Sequence, residues 1–292
     1  MKRKEFIKNA LFTGILGAFV PQSLKSSNNK FEKSTYDTLT QQVGFNHLPN
    51  KNIYTMNTII HKAETRGSAN HGWLNSHHTF SFANYHNPER MNFGVLRVLN
   101  DDRVEAGMGF GTHPHDNMEI ISIPLEGDLE HKDSMGNVAV IKEGDVQVLS
   151  AGTGITHSEF NKNKDKEVKF LQIWIFPKKK NLAPRYDQIS IRDIEKDNEF
   201  YQVLSPNKDD QGVWINQDAW FSIGKFTKGK SDIYKINKNG NGVYVFILEG
   251  EVKINNEILN KRDGIGIWDT DSFVVNATEN ARVLLMEVPM NI

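Results

Sequence analysis

His113 and His115 stand two residues apart in GTHPHDN, and His157 and Glu159 repeat that spacing in GITHSEFN. In an extended strand, residues i and i+2 project from one face, so each pair directs both side chains to the same side of a sheet. Pro114 restricts the backbone between the first two to extended conformations. If the two strands face each other inside a barrel, three imidazoles and one carboxylate converge on a point. An N3O set of that kind suits Fe(II), Cu(II), Ni(II), Mn(II) or Zn(II) and leaves positions for a substrate and dioxygen. The chain of 292 residues has no cysteine, which excludes disulfides, thiolate metal sites and cysteine nucleophiles. Histidine, aspartate and glutamate are the ligands that remain. None of the 10 histidines lies beyond His157, although nearly half the chain follows it, so the first half is singled out for metal or proton chemistry.

The remaining histidines have plainer readings. His131, in LEHKD, reads as an exposed strand residue outside the set, and His71, His77, His78 and His86 in HGWLNSHHTFSFANYH as loop residues that cap and pack. Glu119, four residues after His115, reads as an ordinary strand residue.

The elements that must position these side chains are strands. Short runs of β-branched and aromatic residues, cut by Gly, Asn and Asp, follow one another as FGVLRVLNDD, EIISIPLEGDLEH, VAVIKEGDVQVLSAG and VKFLQIWIFP. The texture continues in WFSIGKF, GVYVFILEGEVKINN, GIGIWD and ARVLLMEVP. Such spacing predicts an all-β protein of antiparallel sandwiches or barrels with few short helices. The two halves repeat. Leu125-Glu126-Gly127-Asp128-Leu129 recurs as Leu248-Glu249-Gly250-Glu251-Val252 at an offset of 123 residues, and the turn Glu143-Gly144-Asp145 is matched to Arg262-Asp263-Gly264. Two related β-barrels are therefore expected, an N-terminal domain over 55–180 and a C-terminal domain over 190–292, with the charged stretch after Pro177 as connector. The same offset carries His113 and His115 onto Ile236 and Lys238, so the second barrel is expected to be metal-free.

Ahead of the barrels, Lys2, Arg3, Lys4 and Lys8 precede an apolar run from Ala10 to Val20, the layout of an export signal over 1–27. That run is too short to span a bilayer stably. Arg3-Lys4-Glu5-Phe6-Ile7-Lys8 resembles a twin-arginine motif with lysine for the second arginine, which gives a periplasmic location, the alternative being a cytoplasmic protein with an amphipathic N-terminal helix. A polar spacer follows over 28–54. The formal charge of −1 becomes −5 if residues 1–27 are removed, so no field exists for gripping nucleic acid.

Gly107-x5-His113-x-His115-x3-Glu119 followed by Pro124 and Gly127 resembles the first cupin motif, and Gly144, Gly152, His157 and Asn161 resemble the second. Two departures stand out: seven residues rather than six separate Glu119 from Gly127, and Ser150 replaces the usual proline. GFGTHPHDNMEI, LEGDLEHKDSMGN, SAGTGITHSEFN, HGWLNSHHTFSFANY and QIWIFP together resemble the pirin family, in its bacterial quercetinase-like branch, over Ile59 to Val288. The resemblance implies a bicupin, two tandem double-stranded β-helix barrels. It implies one metal, Fe(II) above Cu, Ni, Mn, Co or Zn, held by His113, His115, His157 and Glu159, with Glu119 outside the ligand set. It further implies quercetin 2,3-dioxygenase activity with release of carbon monoxide, and Glu159 as the base for the flavonol 3-hydroxyl. Two other activities are compatible with it: a non-enzymatic, metal-dependent regulatory pirin, and a cupin enzyme acting on another phenolic or small molecule. The partners expected are a small aromatic substrate and dioxygen, with no nucleic acid and no membrane span, and the chain is expected to act as a monomer. Phe80, Phe82, Met118 and Trp73 are the apolar side chains proposed from local context to wall a flat substrate.

Overall fold

Strand-forming runs this densely spaced leave room only for tight turns, and the molecule is built almost entirely of antiparallel strands. The computed structural model describes residues 56–292; the signal-like segment and the spacer lie outside the described residues. The first half runs β1 (Asn57–His61), β2 (Gly67–Asn70), β3 (Leu74–His78), β4 (Leu96–Val104), β5 (Gly109–His115), β6 (Glu119–Glu126), β7 (Asp128–Asp133), β8 (Val138–Lys142), β9 (Asp145–Ser150), β10 (Ile155–Asn161), β11 (Val168–Ile175) and β12 (Arg185–Ser190). The second runs β13 (Phe200–Ser205), β14 (Val213–Trp214), β15 (Trp220–Phe226), β16 (Ser231–Lys235), β17 (Asn241–Glu249), β18 (Glu251–Ile254), β19 (Glu257–Asn260), β20 (Gly264–Trp268), β21 (Ser272–Ala277) and β22 (Ala281–Pro289). Two single 3-10 turns, Ala63–Thr65 and Arg192–Ile194, are the only helical segments among the described residues.

The sheets reveal the duplication. One seven-stranded sheet has the order β12-β9-β6-β11-β4-β3-β2 and the other β1-β20-β17-β22-β15-β13-β14, while the four-stranded sheets run β5-β10-β7-β8 and β16-β21-β18-β19. Laid side by side, the two barrels match strand for strand except at the last edge, where β2 pairs antiparallel with β3 and β14 pairs parallel with β13. Two strands depart from chain order. β1 precedes the first barrel yet pairs with β20 of the second, and β12, in the charged stretch expected to be a connector, pairs with β9 and completes the first. Its side chains are only half-buried, so it carries no apolar signal.

Turn chemistry confirms one half of the repeat and corrects the other. Gly127 and Gly250 each link two strands alone, at φ +79° and +77°. In the second turn the left-handed residues are Gly144 and Arg262, and Asp145 and Asp263 each accept a hydrogen bond at 2.9 Å from the backbone N–H three residues earlier. Asp145 therefore corresponds to Asp263, one residue out of step with the expected match. Arg262 tolerates the unfavourable conformation while its Nε reaches Asp101 of the first barrel at 2.8 Å.

β17 and β22 read as continuous apolar runs because both their faces are buried. Val243, Val245 and Ile247, with Val283 and Leu285, fill the second barrel, whereas Tyr244, Phe246 and Leu248, with Leu284, Met286 and Val288, join Leu99, Ile121, Leu171 and Ile173 in a core shared by the two barrels. β6 and β11 do the same for the first barrel. Ile121, Ile123, Leu171, Ile173 and Ile175 enter the shared core, and the residues between them, including Ser122, Gln172 and Trp174, take the opposite face.

A Cβ on Gly250 would lie 1.9 Å from the Asn280 carbonyl oxygen, whereas one on Gly136, also in the left-handed region, meets nothing. Gly250→Ala is expected to cost about 3 kcal/mol or more and Gly136→Ala about 1 kcal/mol, measured by urea denaturation of the two variants.

Candidate metal centre

β5 and β10 pair antiparallel with His157 directly opposite His113 and Ile155 opposite His115. A bulge between His157 and Glu159 then shifts the register, so that Glu159 faces Phe110. On the other side of β10, β7 sets Asp133 beside His157 and His131 beside Glu159. The strand pairing alone thus gathers the two i, i+2 pairs onto one patch.

The rings of His113, His115 and His157 have centroids 4.8, 4.5 and 5.0 Å apart, and one nitrogen from each falls within 4.8 Å of the others. His113 Nδ1 donates to the Gly111 carbonyl at 2.8 Å, which leaves its Nε2 with the lone pair. Both nitrogens of His157 are buried with no hydrogen-bond partner. Burial holds all three imidazoles neutral: His113 is lowered, His115 is pushed down to about 3 with His113 adding to the effect, and His157 is lowered further still, with His113, His115 and His131 each adding to the effect of burial. A neutral imidazole offers a cation its lone pair, so the donor set fits a divalent transition metal.

Glu159 is buried beside this triad, and its carboxylate is turned to Ser122 and Gln172. Ser122 Oγ donates to Oε1 at 2.9 Å and Gln172 Nε2 to Oε2 at 2.7 Å. Burial raises its pKa to about 7 despite those two hydrogen bonds. Its oxygen groups with the ring nitrogens of His157 and His131 within 4.8 Å, rather than with those of His113 and His115. The structure therefore brings all four expected residues to one patch as two overlapping triads that share His157.

Residues 59–175 match the sequence profile of the family described as Pirin, and residues 202–288 that of the quercetinase C-terminal cupin domain. A quercetin 2,3-dioxygenase of Escherichia coli (strain K12) is 42% identical over 230 residues, 79% of this chain and 98% of that protein. The chain belongs to the pirin family. A pirin-like protein of Caulobacter vibrioides is 38% identical over 222 residues, 76% of this chain and 95% of its own length. The crystal structure of the bacterial pirin YhhW from Escherichia coli in complex with nickel(II) shares 41% identity and a TM-score of 0.75, covering 80% of this chain and 99% of that one.

Within this pirin several expected side chains have other places. His131 is no exposed strand residue: it is 0% exposed, its ring centroid 5.4 Å from that of His157 and 4.7 Å from that of Tyr186. Glu119 is buried too, and accepts from Ser150 Oγ at 2.8 Å and from Asn216 N at 3.2 Å, across the seam between barrels. Serine at 150, where the generic motif has proline, supplies that donor. Phe80 lies in the shared core against Tyr244, and Trp73 packs edge-on against Phe110. Phe82 and Met118 are better placed: Phe82 packs on Trp174, which stands edge-on to His115 at 4.9 Å, and Met118 packs with Trp174 against the same cluster of Ile120, Leu149, Ala151 and Ile155. Sequence reasoning missed Ser122, Gln172 and Trp174. The signal was present, because Ser122 and Gln172 are single polar interruptions of the apolar runs IISIP and FLQIW, and they are direct cross-strand partners.

The polar row continues away from the pirin site. His78 Nδ1 lies 2.9 Å from Asn100 Oδ1, and Ser76 Oγ donates to the buried carboxyl of Asp102, which burial pushes up to about 7. A carboxyl raised in the fold contributes stability below its unfolded pKa and loses it as pH rises through its folded value. Asp102→Asn is therefore expected to gain on the native protein by about 1 kcal/mol or more between pH 5 and pH 8, measured by urea midpoints at both pH values.

Proposed function

We propose that this pirin is a metal-dependent dioxygenase that cleaves flavonols such as quercetin, with His113, His115, His157 and Glu159 holding one Fe(II). The observation that carries the reading is the cluster of three neutral imidazoles, with His113 and His115 half-buried and His157 buried with both its nitrogens lacking a hydrogen-bond partner. Leaving such groups unsatisfied costs on the order of 1–3 kcal/mol each, which a bound cation removes. The identity to a quercetin 2,3-dioxygenase and the nickel(II) in YhhW support a divalent metal and a flavonol substrate. Copper, nickel, manganese, cobalt and zinc are the alternatives to iron.

When bound, the ion supplies Lewis acidity that lowers the pKa of the flavonol 3-hydroxyl and enriches the ring in electron density for attack on dioxygen. Glu159 takes the 3-hydroxyl proton onto a carboxylate oxygen. Ser122 and Gln172 hold that carboxylate in place and stabilise its charge. Trp174, Phe82 and Met118 offer a flat, dry wall to an aromatic substrate. In the balanced reaction, one flavonol and one dioxygen give a phenolic ester acid and carbon monoxide, with the bonds on both sides of carbon 3 broken. The same proposal has the chain exported through residues 1–27 and acting as a monomer.

Aerobic incubation with quercetin after loading with Fe(II), and in parallel with Cu, Ni, Mn or Co, is expected to bleach the flavonol absorption band and release carbon monoxide. No loss of the band with any of these metals overturns the activity. His113→Ala and His157→Ala are each expected to abolish stoichiometric metal binding by elemental analysis. Glu159→Gln is expected to lower kcat by about 100-fold or more, with the fold intact by circular dichroism.

A further inference from the structure

His131 lies outside the ligand set and is packed as tightly as its members. Its Nε2 stands 3.0 Å from Asp133 Oδ2. A carboxylate oxygen accepts, so Nε2 carries the hydrogen and the neutral ring keeps its lone pair on Nδ1. Asp133 is itself fixed: Asn137 Nδ2 donates to Oδ2 at 2.8 Å, and the backbone N–H groups of Met135 and Asn137 donate to Oδ1 at 2.9 and 3.1 Å. Tyr186 covers the other side of the imidazole. His131 Nδ1 is nevertheless buried with no partner, as are both nitrogens of His157.

These orphans complement each other. An imidazole that gives one lone pair to a metal carries a hydrogen on its other nitrogen, and that hydrogen is almost always donated to a nearby acceptor, which fixes the tautomer and the ring orientation. His113 meets the requirement through the Gly111 carbonyl. His157 has no such acceptor in contact, and the oxygens of Glu159, held by Ser122 and Gln172, are the ones the proposed metal set uses. The neighbouring His131 has a buried Nδ1 that also lacks a partner, and a nitrogen of each ring lies within 4.8 Å of the other.

We propose that Asp133, His131 and His157 form a relay that decides which nitrogen of His157 is offered to the metal. Asp133 accepts from His131 Nε2–H, His131 Nδ1 accepts the N–H of His157, and the remaining nitrogen of His157 is left for the ion. The proposal rests on the metal-centre reading above. It makes His131 and Asp133 positioning residues, and it gives a role to the D in LEHKD that no cupin motif assigns.

Cobalt(II) titration of the full chain tests the relay without reference to catalysis. His131→Phe keeps the ring packed on Tyr186 and removes the acceptor, while Asp133→Asn keeps the shape and favours the opposite tautomer. Each is expected to retain one cobalt per chain, to bind it about 10- to 100-fold more weakly, and to shift the visible cobalt spectrum. The double variant is expected to be no weaker than His131→Phe alone, because Asp133 acts through His131. Unchanged affinity and spectrum in folded His131→Phe overturn the relay, and so does complete loss of cobalt, which would make His131 a ligand. Should His131→Phe fail to fold, Asp133→Asn and long-range proton–nitrogen NMR of the zinc-loaded native protein decide. The spectrum is expected to show His131 protonated on Nε2 alone, and the opposite tautomer overturns the relay. A native chain that binds no cobalt defeats the metal-centre reading and the relay together, whereas native binding with unaffected variants defeats the relay only.

Discussion

Desolvation of imidazole is the constraint on which the first barrel turns. His113, His115, His131 and His157 form one cluster, where a positive charge on any of them would be opposed by burial and, for His115 and His157, by the neighbouring histidines as well. At His131 and His157 that neutrality leaves buried ring nitrogens without a partner, which a cation or a reciprocal hydrogen bond relieves. The surroundings follow from that need. Gly111 offers a carbonyl, Asp133 a carboxylate, and Ser122 and Gln172 hold the carboxylate of Glu159 beside the cluster.

The second barrel shows what the same frame becomes without that constraint. The bulges that pair Glu126 with Lys169 and Glu249 with Arg282 align β11 with β22, so Glu287 occupies the position of Trp174. Where Trp174 leans on His115, Glu287 is fully buried and accepts from Tyr234 Oη, from the backbone of Asn237 and Lys238, and from Asn241. The rest of that interior is mainly Val, Ile, Leu and Phe, with Tyr234, Ala277 and Ala281. One barrel is filled with apolar side chains and the other with a polar row, although their strand order is the same. The second barrel supplies part of the shared core against which β6 and β11 pack.

The seam between them accounts for the place of Glu119, the generic cupin glutamate. Glu119 lies opposite Ile175 at the far end of β6 from the Gly127 turn, and there it bridges Ser150 to Asn216 of the second barrel. Asp101 makes a second tie, with Arg262 at 2.8 Å and Arg66 at 3.5 Å. Buried acids in this protein therefore do two jobs, one at the metal site and one at the seam. Their registers on the sheet decide which.

Much of this was legible in residue order. The i, i+2 spacing of His113 with His115 and of His157 with Glu159, the strand texture and the LEG repeat gave an all-β duplicated protein with its histidines in one half, because strand periodicity and single-glycine turns are local properties. Which faces meet is not local. His131 looks solvated in LEHKD, and only the pairing of β7 with β10 buries it against His157. Tyr186 sits in a charged stretch with no apolar period, and only the pairing of β12 with β9 brings it over His131. β1 joins the barrel that comes after it because the open edge of β20 lies there, an arrangement no spacing along the chain encodes. The sequence determined the ligand types and their faces. Tertiary structure decided their neighbours, since burial and hydrogen-bond partners come from strands distant in the chain.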